Sequence, residues 1–69
     1  MSWIVYIIKK KGAYYTGITA DLQNRLRQHR NPALLYTEKM ADKYAAAKRE
    51  KEIKGWTRKK KEDLINRSL

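Results

Sequence analysis

The 69-residue chain contains no cysteine. That excludes disulfide staples and thiolate metal centres, and it fits a reducing compartment, so a cytoplasmic location is expected. Proline occurs once and glycine three times, and neither a linker nor an internal repeat is visible. No apolar run approaches the roughly 20 residues needed to span a bilayer, so no membrane association is expected. The opening "MSWIVYII" has no basic segment and no small-residue cleavage site, so no secretory leader is expected. Acidic residues are scarce, with seven Asp and Glu against 17 Lys and Arg. The length implies one domain over residues 1–69, with a small core, because a chain of this size buries only about 60% of its unfolded surface.

What is present begins with charge. A formal net charge of +10 on so small a body attracts polyanions, and nucleic acid is the most abundant of these in a cell. A soluble domain with a basic surface, or a ribosome-associated protein, would have the same composition. Charge alone says nothing about chemistry.

The pattern then sets the order of elements. "WIVYII" at residues 3–8 is apolar on both faces and β-branched, which suits a strand covered on both sides. "KKKG" punctuates it, and Gly12 supplies turn freedom. "AYYTGI" at residues 13–18 reads as a second strand, so the pair forms a hairpin. Pairing Ile8 with Ala13 sets Tyr6 opposite Tyr15, with both rings on one face; a slip of one residue would separate them. "TADLQNRLRQHR" switches to helical spacing, with Thr19 or Asp21 as cap, Leu22 and Leu26 as the apolar stripe, and Asn31-Pro32 as the stop. "ALLYTEK" at residues 33–39 is a third strand. Asp42 caps a helix through "KYAAAKREKEIK" that Gly55 ends, and "RKKKEDLI" forms a last helix. The order ββαβαα implies an α+β fold: a small three-stranded antiparallel sheet flanked by helices.

Several polar residues have two readings each. Arg25 and His29 stack one turn apart beside the Leu22/Leu26 stripe, at the rim of a groove between helix and sheet. The plainer reading is a snorkelling arginine and a surface histidine. Glu50 lies about 40° from Ala46 and 60° from Ile53 around the second helix, so it faces the fold more than Glu52 does; the plainer reading is a solvated Glu50–Lys54 pair. The last helix carries four cations, Arg58, Lys59, Lys60 and Lys61, in its first turn, where the macrodipole prefers acids. A phosphate-binding surface would account for them, and so would a need for solubility.

Taken together, "VYI" at 5–7, "YTG" at 15–17, "ITADLQNRLRQH" at 18–29 and "REKEIKGWTRKKKEDLI" at 49–65 resemble the GIY-YIG nuclease domain. The chain is most similar to the small stand-alone GIY-YIG proteins, relatives of the incision subunit of bacterial nucleotide-excision repair. The resemblance covers nearly the whole chain. It implies a GIY-YIG-like fold and a metal-dependent endonuclease acting on nucleic acid, DNA above all, in repair or recombination. Motif by motif it implies site roles for Tyr6, Tyr15, Arg25, His29 and Glu50, with Gly17 as the motif glycine. Glu50 would hold a single divalent ion, Mg²⁺ or Mn²⁺. Lys9, Lys10, Lys11 and the four cations of the last helix would contact nucleic acid. The first motif reads VYI rather than GIY, and "HRNPALLY" is shorter than the family's usual basic loop. Asn66 stands near the place of a late family asparagine and is assigned no role.

These residue types suit phosphodiester hydrolysis. An ion on one carboxylate keeps sites open for water and phosphate, neutralises charge and stabilises the leaving oxygen. Arg25 would clamp phosphoryl oxygens bidentately. Tyr6 is the candidate for water activation, with Tyr15 and His29 beside it; a phenol of pKa about 10 needs a nearby cation or metal for that role. Gly17 would let backbone or substrate approach closely. The second reading is a GIY-YIG scaffold that binds nucleic acid or a protein without cutting. On either reading specificity would come from a protein partner, since no further DNA-binding domain is visible.

Overall fold

The structure, a computed structural model, describes residues 2–30 and 32–67. Its elements are β1 (Trp3–Lys10), β2 (Ala13–Thr19), α1 (Leu22–Gln28), β3 (Ala33–Met40), α2 (Lys43–Lys54) and α3 (Arg58–Arg67). The three strands form one antiparallel sheet in the order β2-β1-β3. This is the expected α+β architecture, with the most apolar strand in the centre, where both faces are covered.

The hairpin register differs from the expected one. Lys10 pairs with Ala13, Ile8 with Tyr15, and Tyr6 with Gly17 rather than Tyr15. The loop is therefore only two residues, Lys11 and Gly12, with φ of 52° and 80°. Positive φ at both central positions is the type I′ arrangement, whose twist matches that of the flanking strands. The difference is two residues, so the alternation of faces survives. Tyr6, Ile8, Tyr15 and Gly17 share one face, and Val5, Ile7, Thr16 and Ile18 the other.

The second of these faces carries the main core. Val5, Ile7, Ala46 and Ile53 are fully buried and pack with Ile65, joining β1 to α2 and α3. Each such aliphatic contributes about 1.5–3 kcal/mol on burial. On the other face Ile8 is fully buried and Tyr6 is 5% exposed, with α1 alongside through its half-buried Leu22 and Leu26. A bulge in β3 sets Ile7 against Tyr36 but Ile8 against Leu34, so Leu35 is an extra residue that packs towards the core.

Local signals end the helices as their chemistry dictates. Asp21 accepts from the Asn24 amide at 3.1 Å and Asp42 from the Ala45 amide at 2.8 Å, satisfying first-turn donors. Thr19 braces the first cap by accepting from the Asp21 amide at 3.0 Å. At the far end of α1, Arg30 takes a left-handed φ of 62°, and its amide donates to Arg27 at 3.0 Å. Asn31, expected as part of the stop, lies outside the described residues. Gly55 closes α2 at an ordinary φ of −80°, its amide donating to Glu52.

Candidate active site

Tyr6 is the centre of the site. It stands on the central strand, and its ring lies across Gly17 of the neighbouring edge strand. A methyl group on Gly17 would lie 2.5 Å from Tyr6 Oη, 2.6 Å from Cζ and 3.0 Å from Cε2. No real Cβ tolerates such distances, so the missing side chain at position 17 is the space the phenol occupies. The glycine seats this ring and carries its hydroxyl out over β2, the strand against which α2 also packs.

Two opposite charges act on that hydroxyl. Burial raises the Tyr6 phenol above its ordinary value; the Arg25 guanidinium pulls it down and the Glu50 carboxylate pushes it up. One phenol therefore senses a cation from α1 and an anion from α2, residues far apart in the chain. Arg25 is exposed and free to meet a ligand. Glu50 is turned inward, its side chain 22% exposed, between the buried Ala46 and Ile53. Lys54 sits 3.5 Å from the Glu50 carboxylate, so the plainer pairing is present as well. Lys54 is the more solvated partner of that pair, 58% exposed against 22% for Glu50.

A cavity of about 270 Å³ opens on the Tyr15 side of the hairpin, lined by Lys10, Lys11, Tyr15 and His29. Tyr15 is two residues from Gly17 on the same face of β2 and 52% exposed, its hydroxyl open to solvent. His29 lies one turn beyond Arg25, its amide donating to the Arg25 carbonyl at 3.2 Å. His29 and Tyr15 thus share a cavity with the lysines of the turn, while Tyr6 is seated over Gly17 and feels Arg25 and Glu50.

The remaining expected phosphate contacts are arranged differently. Lys9 points to the opposite face from Lys10 and lies 6.0 Å from the Tyr14 ring centre. Arg58 covers the same ring at 4.7 Å, donates to the Gly12 carbonyl at 3.3 Å and pairs with Glu62 at 3.1 Å. Lys60 lies 4.5 Å from the Trp56 ring centre. Two of the four cations at the start of α3 therefore tie that helix to the hairpin turn and to Trp56, which the local sequence did not reveal. Lys59 is exposed and Lys61 half-buried.

A support that periodicity missed holds α2 in place. Arg49, next to Glu50, donates through Nε to Glu38 of β3 at 3.1 Å, approaches Glu52 at 3.8 Å and stacks 5.1 Å from the Trp56 ring centre. Tyr36 donates to the same Glu38 at 2.5 Å. Burial, then Glu38, raises the Tyr36 phenol. These contacts fix the rotation of α2 about its axis, and so the direction in which Glu50 points.

Among the described residues, no three His, Cys, Asp or Glu side chains cluster as a metal cage. A hard divalent ion held by one inward-facing carboxylate, beside a phenol and open to solvent, keeps most of its own water. The donor set fits such an ion and no closed structural site.

Comparison with known proteins identifies the family. The model of the GIY-YIG catalytic domain matches residues 2–63. The chain belongs to the GIY-YIG family. A UPF0213 protein of Staphylococcus aureus is 40% identical over 77 residues, covering 93% of this chain and 94% of its own. The UPF0213 protein SSP2268 of Staphylococcus saprophyticus is 37% identical over 75 residues, covering 90% and 92%. Both matches run longer than the 69 residues of this chain, so these relatives carry internal residues that it lacks. The solution structure of the UPF0213 protein BH0048 from Bacillus halodurans superposes with a TM-score of 0.68 at 32% identity, covering 96% of this chain and 84% of the other. The chain is thus similar over nearly its whole length to small UPF0213 proteins, and its architecture is that of the GIY-YIG family. GIY-YIG nuclease domains act on nucleic acid and generally use divalent ions. Among the described residues, no helix is long and apolar enough to cross a membrane.

Proposed function

We propose that this protein is a metal-dependent endonuclease that hydrolyses phosphodiester bonds in DNA, in the cytoplasm, in repair or recombination, with a protein partner supplying specificity. The reading is carried by the seating of the Tyr6 ring over Gly17, with the inward-turned Glu50 and Arg25 as the charged groups that act on its hydroxyl. A guanidinium, a phenol and a carboxylate within electrostatic reach of one another are the parts that a scissile phosphate requires.

The roles follow from the chemistry of each group. Arg25, exposed at the rim, clamps non-bridging phosphoryl oxygens and offsets the charge that develops on them. Glu50 is the residue that would hold Mg²⁺ or Mn²⁺; such an ion supplies charge neutralisation and stabilises the leaving oxygen. The environment of Tyr6 favours its protonated form, so before substrate binds it is a hydrogen-bond donor. Its proposed work as the group that activates water rests on cationic help from Arg25 and the ion. Tyr15 and His29 hold the next phosphate along the groove, with Lys10 and Lys11 attracting the strand beyond it.

Nicking of supercoiled plasmid tests this. Wild-type protein with Mg²⁺ or Mn²⁺ converts supercoiled to open-circular DNA, chelator stops it, and Arg25→Ala and Glu50→Ala each lower the rate by about 100-fold or more. Unchanged cleavage in both variants refutes the assignment. The second reading, a module that binds without cutting, draws on the Glu50–Lys54 pair and on the internal residues missing relative to the Staphylococcus proteins. It prevails when wild type only retards DNA in a gel, with steep salt dependence, and never nicks it.

A further inference from the structure

We propose that the outer face of α2 is a separate binding site for an unpaired nucleic-acid base, which stacks on Tyr44 while Lys48 and Lys51 take the flanking phosphates. Tyr44 is 84% exposed, the most exposed of the large apolar side chains among the described residues. With Ala47, Lys48 and Lys51 it lines a shallow cavity of about 290 Å³. Residues 44, 48 and 51 recur at helical spacing on the side opposite the buried Ala46 and Ile53. Packing therefore gives no reason for an aromatic ring there.

The charges around the ring identify its occupant. The two acids of α2 are engaged elsewhere, Glu50 with Lys54 and Glu52 with Arg49. Among the described residues, neither Lys48 nor Lys51 pairs with a carboxylate. A flat ring with two unpaired lysines one and two turns further along the same helix face suits a base and the phosphates that follow it. Duplex DNA buries its base faces, so the ligand is a single-stranded segment. Tyr44 lies about 9 Å along the helix axis from Glu50 and a third of a turn around it, so a strand leaving the groove over α2 meets the ring. The site rests on the nucleic-acid reading above and adds to it a preference for unpaired bases.

Fluorescence anisotropy in chelator, where no cleavage occurs, tests this with a labelled oligothymidylate and a duplex of equal length. Tyr44→Ala weakens single-strand binding by about 5- to 150-fold, the loss of one stacked base, and leaves duplex affinity within about twofold. Tyr44→Trp retains single-strand affinity. Lys48→Gln with Lys51→Gln lowers the salt slope on single strands by about 1.4. Circular dichroism of each variant shows an intact fold, since these side chains are solvated. Tyr44→Ala binding single strands as wild type does would overturn the site and leave the patch to a protein partner; equal loss on both ligands would overturn it too. The two readings fail separately. Wild-type protein that never nicks plasmid, yet loses single-strand binding with Tyr44, sinks the hydrolysis and keeps this site. Wild-type nicking with normal single-strand binding by Tyr44→Ala does the reverse.

Discussion

Gly17→Ala is the smallest change that reaches the centre of the site. The added methyl would lie 2.5 Å from Tyr6 Oη and 2.6 Å from Cζ, about 1 Å inside normal carbon contact. Tyr6 cannot retreat freely, because it is 5% exposed on the central strand. Overpacking of this kind costs about 1–3 kcal/mol. Alanine returns about 0.5–1 kcal/mol through the stiffer unfolded chain, so the net loss is at most about 2.5 kcal/mol. In a domain of this size, that lowers the melting temperature by up to about 20 °C. The ring must also swing from Arg25 and Glu50, so plasmid nicking falls more steeply than stability does. The decisive assay is a double-mutant cycle by thermal melting, with Tyr6→Val as the second change. The methyl then enters the space the ring vacates, and Gly17→Ala costs little. Equal cost in both backgrounds would refute the idea that Gly17 exists to seat the Tyr6 ring.

Other perturbations probe the surrounding contacts. Arg49→Ala strips the quarter-exposed Glu38 of its guanidinium and should cost about 1–2 kcal/mol; it should also loosen Glu50, so the Mg²⁺ concentration needed for half-maximal nicking rises, and an unchanged requirement would separate that anchor from the site. Stability should hold below pH about 10 and fall above it, because the phenols of the unfolded chain ionise there while Tyr6 and Tyr36 keep their protons. Tyr6→Phe should flatten that alkaline fall in urea melts at pH 9–11, and an identical slope would contradict the burial of this hydroxyl. Arg58→Ala should release α3 from Tyr14 and the Gly12 carbonyl, seen as faster amide exchange at the start of that helix while nicking persists; protection equal to wild type would show that the contact is not a tether.

Local pattern carried most of the fold, and long-range pairing carried what it missed. Short runs rich in apolar, β-branched and aromatic residues located all three strands, and Asp21 and Asp42 marked the helix starts. The helical wheel also turned Glu50 inward, because Ala46 and Ile53 define that face by spacing alone. The hairpin register was two residues out because "KKKG" does not disclose that Lys11 takes a left-handed φ. The face assignment of Tyr6 and Tyr15 survived because an even slip preserves alternation. The cations at the start of α3 looked unexplained because Arg58 meets Gly12 from 46 residues away. The Glu38–Arg49 anchor was likewise invisible, since it joins a strand to a helix across 11 residues with no shared period.

The central claim is that one phenol lies between the guanidinium of α1 and the carboxylate of α2. Titration of the ¹³Cζ resonance of Tyr6 measures this without reference to activity. Glu50→Gln should lower the Tyr6 pKa relative to wild type, and Arg25→Ala should raise it. A Tyr6 resonance that titrates at the same pH in all three proteins would mean that the charges do not meet at this hydroxyl, and the groove would lose its case as a hydrolytic site.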